Sequence, residues 1–209
     1  MRLTKMVGLA ALAALAAMAF LGASSASAST TSVALCKKAE LVCPAGEQYP
    51  AGTKIHAELL PGTTAKLTGA LEITCKKSLV EGTTSAALSS GTLLGSITAL
   101  TFTECGTTCN SIVSHVSAAA PWTSHLKNLG KLLGEMVVLN PLVLLNGCTF
   151  FKINCVASAA EVGLHVDPVG TGELEVLAVN EPLSLGICGN GTWNATYIVT
   201  TPKPAYIES

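Results

Sequence analysis

Between residues 54 and 60, apolar Ile55, Ala57 and Leu59 alternate with Lys54, His56 and Glu58, and Pro61-Gly62 follows. A period of two predicts a strand with one face on a core and the other in water, closed here by a turn. Leu71 and Ile73 repeat the pattern against Glu72 and Thr74. Residues 95–104 alternate again, with both faces fairly apolar, as a central strand would have. The segment Cys105 to Cys109 then reads as a tight turn into a strand around Ile112 to Val116. Two more strands are expected at 160–166 and 173–179, joined by Asp167-Pro168-Val169-Gly170-Thr171-Gly172. A last strand, Thr192 to Thr200, stops at Pro202 and Pro204.

Residues 126–145 carry two patterns at once. Leu126, Leu129, Leu133 and Met136 fall at helical spacing, but Gly130 and Gly134 each weaken a helix by about 1 kcal/mol relative to Ala. A hairpin with strands near 122–128 and 132–139 is the preferred reading, ended by Pro141. Turn residues every 8 to 15 positions, nine or ten short strands and no fixed-period repeat predict an all-β fold. The expected architecture is one two-sheet sandwich or jelly-roll-like domain.

The amino terminus departs from this rhythm. Arg2 and Lys5 precede an uncharged apolar run from Met6 to Leu21 and a small-residue stretch, Gly22 to Ala28, the three-part layout of a secretory signal peptide. Cleavage after Ala26-Ser27-Ala28 would leave residues 29–209 as a single secreted domain, with no membrane span remaining. Its basic residues are all Lys, ten against 13 acidic groups, a net charge of about minus three. That balance offers no electrostatic footprint for nucleic acid or anionic lipid. All eight cysteines follow the leader, and export makes disulfides their default use. Proximity in sequence pairs Cys36 with Cys43, Cys105 with Cys109 and Cys148 with Cys155, leaving Cys75 for Cys188. No C-x-x-C pair argues for zinc.

The segment Cys36 to Thr53, with Cys43-Pro44-Ala45-Gly46 and Tyr49-Pro50-Ala51-Gly52-Thr53, and the closing Thr192-Trp193-Asn194-Ala195-Thr196-Tyr197 and Thr201-Pro202-Lys203-Pro204 carry a resemblance. Together they are similar to a group of exported, cysteine-containing, β-rich actinobacterial proteins with no assigned activity. The resemblance implies secretion and a β fold; it brings no catalytic residue and no ligand. A bacterial source would leave the sequons at Asn190 and Asn194 unused.

Candidate chemistry is sparse. His165, Asp167, Glu173 and Glu175 would share the outer face of the 160–166/173–179 hairpin, a patch of hard oxygen and imidazole ligands suited to a divalent cation. An ordinary solvated face is the competing reading. Ser124 and Lys127 spell S-x-x-K, but the strings that accompany it in penicillin-recognising enzymes are missing, as is any G-x-S-x-G elbow. His56, His115 and His125 are scattered singly. Trp193 and Tyr197, four apart on the last strand, point the same way and offer either a stacking surface for a sugar or core packing. Phe150 and Phe151, between Cys148 and Cys155, lie where one ring would protrude as a recognition tip. These features favour a non-enzymatic extracellular binding or envelope-associated protein, without cofactor, for an unknown extracellular ligand or envelope component. Two alternatives remain: a small hydrolase built around His165 and Glu173, or an inhibitor-like module presenting the Cys105–Cys109 or Cys148–Cys155 loop.

Overall fold

The alternating segments all become strands, and the chain contains several more. The computed structural model describes residues 33–40, 42–69, 71–88, 91–106, 109–130, 132–148, 152–170 and 172–208. Among them are β1 (Ala34–Cys36), β2 (Lys54–Leu59), β3 (Ala65–Gly69), β4 (Ile73–Leu88), β5 (Thr92–Gly106), β6 (Ser111–Ser114) and β7 (Trp122–Gly130). They continue with β8 (Leu133–Leu139), β9 (Leu142–Cys148), β10 (Ile153–Ser158), β11 (Glu161–Val169), β12 (Glu173–Ser184), β13 (Asn190–Thr201) and β14 (Tyr206–Glu208). The hairpin reading of 122–139 holds, as does the pairing of 160–166 with 173–179. No α-helix occurs among the described residues; Gly186–Cys188 forms a short 3₁₀ turn. The expected leader, residues 1–28, lies outside the described residues, all of which fall in one compact unit, Thr31–Ser209.

The architecture corrects the sandwich and jelly-roll expectation. Strands β2, β4, β5, β7, β8, β11, β12 and β13 pair antiparallel in that order, and β13 returns to β2, so the sheet closes into an eight-strand barrel. Alternation along one strand reports a buried and an exposed face, which a sandwich and a barrel share. What distinguishes them is β2, paired on one side with β4 and on the other with β13 across more than a hundred residues of chain. β3 lies in line with β2, between the same two neighbours, so β2 and β3 make one stave broken at the Pro61-Gly62 turn. The ladders bend through bulges at Glu81/Gly82 and Thr84/Ala87 of β4 and at Ala178/Glu181 of β12. Such bulges give a sheet the local curvature that closure requires.

Both ends of the barrel are furnished. The small sheet β6-β9-β10 branches from β12 at Ser158 and Ser184, and its Leu145 and Ala157 join the barrel core. A hydrogen bond from Ser114 Oγ to the Leu100 carbonyl ties it to β5. Where β7 ends and β8 begins, the pair β1-β14 sits with Ile207 fully buried. Gly134 permits that seat, because a Cβ there would stand 2.6 Å from Ile207 Cδ1. Tyr49 Oη donates to the Pro204 carbonyl at 2.7 Å, and Ala205 N to Gly172 O at 3.0 Å, fastening the closing segment.

Four disulfides are present: Cys36–Cys43, Cys75–Cys105, Cys109–Cys148 and Cys155–Cys188. The first agrees with the sequence expectation and the other three overturn it. The β4–β5 register puts Cys75 directly opposite Cys105, so Cys105 is taken before the chain reaches Cys109. Past Cys109 the chain enters β6, which pairs with β9 and brings Cys109 to Cys148. In the β9–β10 hairpin Cys148 faces Ile153 while Cys155 faces Leu145, so two cysteines close in sequence are out of register with each other. Cys155 instead reaches Cys188 in the 3₁₀ turn. Four bridges in one chain are consistent with a compartment outside the reducing cytoplasm.

The three long-span bridges, with separations of 30, 39 and 33 residues, each constrain the unfolded chain by about 4 kcal/mol, against about 2.5 kcal/mol for the seven-residue span. Replacing Cys109 and Cys148 together by Ala is therefore expected to lower the calorimetric Tm by about 10 °C, and replacing Cys36 and Cys43 by clearly less. Equal losses for the two pairs would contradict the pairing described.

Candidate functional site

The interior of the barrel is the candidate site, and strand alternation builds it. β11 turns Val162, Leu164 and Val166 inward, β12 Leu174 and Ala178, and β13 Ala195, Tyr197 and Val199, all buried. These side chains do not fill the space they surround. A cavity of about 220 Å³ remains, reached also by Leu35 of β1 and by Val143 and Leu145 of β9. Among the described residues, no Asp, Glu, Lys, Arg or His lines it. The charges face out: Lys54 and Glu58 on β2, Lys127 on β7, Glu161 and His165 on β11. A barrel spanning a membrane has the reverse polarity, with an apolar band outside and a polar lumen. No helix among the described residues is long and apolar enough to cross a membrane.

A few polar groups interrupt the apolar wall or lie just behind it. Ser78 Oγ donates to the Thr101 carbonyl at 2.8 Å and accepts from Tyr197 Oη at 2.9 Å, so the phenol of a side chain 3 % exposed is satisfied. Burial pushes the Tyr197 phenol up to about 12, opposed by the Ser78 hydrogen bond. Trp122 Nε1 donates to the His115 carbonyl at 3.1 Å and Thr84 Oγ1 to the Pro50 carbonyl at 3.1 Å. Ser124, opposite Gly95 and Val138 in the two ladders, is 7 % exposed and lines the cavity.

Trp193 and Tyr197 do share a face, as their spacing requires, and that face is the inner one. Their ring centroids lie 6.3 Å apart at 59°, and both border the cavity rather than forming an outer platform for a sugar. Phe150 and Phe151 lie outside the described residues.

His165, Asp167, Glu173 and Glu175 sit on the β11–β12 hairpin, with Asp167 opposite Glu175, Glu173 opposite Val169 and His165 opposite Leu177. Glu173 is engaged by Lys203. No three of the four gather their ligand atoms as a metal site does; among the described residues the one such group is Cys36, Cys43 and Glu208. There the sulfurs are joined in a disulfide and offer no thiolate. Glu208 is itself nearly fully buried: Oε1 accepts from the Glu40 backbone N–H, and Oε2 has no partner. Burial holds its carboxyl above the ordinary carboxylate range.

Among the described residues, the groups singled out by the sequence for catalysis stand apart. His165 and Glu173 are four ladder positions apart, on the order of 13 Å along the strands. Ser124 points inward while Lys127, three residues on in an extended strand, is exposed, which removes the S-x-x-K reading. His56 pairs on the outer face with Glu58 at 3.1 Å and Glu81 at 3.7 Å, exposed contacts that contribute little. A notch of about 640 Å³ between Thr68–Gly69, Ser158–Ala159, Pro182–Ser184 and Asn190–Thr192 has no titratable side chain.

Comparison with protein-family models, curated proteins and solved structures finds no match for the chain.

The buried phenol fixes a pH dependence. A group whose folded pKa lies above its unfolded value of 10.0 contributes stability that is fully present below pH 10 and lost as pH rises through about 12. A shift of that size corresponds to about 3 kcal/mol. Between pH 10 and 12, wild-type unfolding free energy is expected to fall by about 2 kcal/mol more than that of Tyr197→Phe, as followed by urea denaturation. Parallel pH profiles would place the phenol in water.

Proposed function

We propose that the chain is a non-enzymatic extracellular binding protein that holds a small hydrophobic molecule inside its barrel. The carrying observation is the cavity of about 220 Å³, lined by apolar side chains and free of ionisable groups other than the hydrogen-bonded Tyr197. Protein interiors are normally packed as densely as organic crystals, with few voids larger than a water molecule. Left empty, a space of this size costs about 5 kcal/mol at ~24 cal/mol per Å³. That is comparable with the whole net stability of a typical domain, about 5–15 kcal/mol. An apolar occupant recovers most of the cost, whereas water would find few polar partners there. Eight-strand barrels are of the size that encloses one small ligand.

An extracellular setting is supported by the four disulfides and by the leader pattern of residues 1–28. A binding rather than a hydrolytic role is supported by the separation of His165 from Glu173 on an open outer face. The inhibitor-like alternative loses its premise, since neither the Cys105–Cys109 nor the Cys148–Cys155 segment is closed by a bridge of its own.

Ala57 faces the cavity from β2 and is the position at which to fill it. Ala57→Leu adds three apolar carbons, about 2 kcal/mol of burial if they fit without strain. The ligand-free variant is expected to melt about 5 °C higher than wild type. Propylbenzene should raise the Tm of wild type and leave that of the variant unchanged. Equal thermal shifts in both proteins, or none in wild type, would count against the interior as the binding site.

A further inference from the structure

We infer that the ligand is a neutral hydrophobic molecule of about nine non-hydrogen atoms carrying one hydrogen-bonding oxygen, and that Ser124 is the residue that receives this oxygen. The inference rests on the interior being a binding site and adds its chemical selectivity. The size follows by scaling: a cavity of ~150 Å³ holds benzene, so about 220 Å³ accommodates half as much again.

Neutrality follows from the wall. No cationic or anionic side chain lines the cavity, and an unpaired charge transferred into such a space would lose its hydration with nothing in return. The oxygen follows from Ser124. Its side chain, 7 % exposed, lies on the inner face of β7 with its hydroxyl on the cavity wall rather than sealed behind it; the fully buried side-chain oxygen without a partner among the described residues is instead Glu208 Oε2. The other buried polar groups at the wall are committed: Tyr197 Oη to Ser78, Thr84 Oγ1 to Pro50, and Trp122 Nε1 to His115. Thr83, Ser96 and Trp193 are part-exposed. A hydroxyl on an apolar wall offers a ligand oxygen one hydrogen bond that the hydrocarbon side chains around it cannot.

The surroundings keep the hydroxyl where it is. Gly95 stands opposite Ser124 in the β5–β7 ladder, and a Cβ on residue 95 would come within 2.7 Å of Ser124 Oγ. The strand therefore has a glycine where any side chain would displace the group from its place on the wall.

Three isosteric probes with nine non-hydrogen atoms separate the terms: propylbenzene, 2-phenylethanol and 2-phenylethylammonium, which end in methyl, hydroxyl and ammonium. Each is titrated calorimetrically at neutral pH into the disulfide-intact protein and into Ser124→Ala. The quantity read is the ratio of alcohol to hydrocarbon affinity within each protein, which cancels any general change in stability. Ser124→Ala is expected to lower that ratio about fivefold, the worth of one net hydrogen bond. The ammonium probe is expected to bind neither protein. An unchanged ratio removes Ser124 as the anchor while leaving the interior as a hydrophobe site. Binding of the ammonium comparable with that of the alcohol overturns neutrality. Failure of both neutral probes to bind wild type overturns the cavity reading and this inference with it.

Discussion

Closure of the sheet on β2 is the constraint from which the rest of the structure follows. An open antiparallel sheet leaves two rows of unpaired backbone groups, and those edges must be covered or blunted. Here Ala57 and Glu58 of β2 lie between Val80 and Leu79 on one side and Val199 and Ile198 on the other, so the ring of eight strands has no edge. Closing the ring requires curvature, supplied by the bulges in β4 and β12 and by the break between β2 and β3. It also leaves two open ends, over which the β6-β9-β10 sheet and the β1-β14 pair contribute buried side chains. One disulfide, Cys75–Cys105, joins two strands of the ring, and two more, Cys109–Cys148 and Cys155–Cys188, tie down the β6-β9-β10 sheet. They fix a topology that strand pairing dictates.

The same closure explains why the interior chemistry is so plain. Inward and outward positions alternate along the strands except at the bulges, and the charged side chains of the described residues lie outside the cavity wall. The inner wall receives aliphatic side chains, two tryptophans, a hydrogen-bonded tyrosine and a few hydroxyls. General acid–base or nucleophilic catalysis needs titratable groups brought together, and the wall provides none but a phenol held at about 12. Hydrophobic enclosure with a single point of polar selectivity is what such a wall does well. The glycines and small side chains along β4, β5 and β8 limit how far the space is filled.

Sequence pattern revealed the strands better than their arrangement. Period-two alternation located β2, β5, β11, β12 and β13, whereas β7 and β8 emerged from Gly130 and Gly134, which tell against the helix that the leucine spacing suggests. It missed most of β4, where Ser78, Gly82 and Thr84 interrupt the inward positions after Cys75 and leave Val80 as the aliphatic one among them. It missed β9 as well, since Leu142-Val143-Leu144-Leu145 is apolar on both faces. Cysteine pairing failed for a related reason. Neighbours in sequence are neighbours in space only across a tight hairpin in register, and Cys148 and Cys155 are not. Trp193 and Tyr197 were recognisable as sharing one side of a strand, but which side was core depended on ring closure. Ser124 attracted attention only through a spurious spacing with Lys127. Its real distinction, a hydroxyl on the wall of the cavity, is invisible until β5, β7 and β8 are laid side by side.

The account turns on an eight-strand ring that encloses more room than its own side chains occupy. Diffraction from crystals held under xenon pressure reads this directly, because xenon enters dry apolar voids and scatters strongly. The expected result is ordered xenon inside the barrel, bordered by Ala57, Val138, Leu164 and Trp193, with the strands unmoved. Side chains packed across the barrel axis with no xenon between them would contradict it.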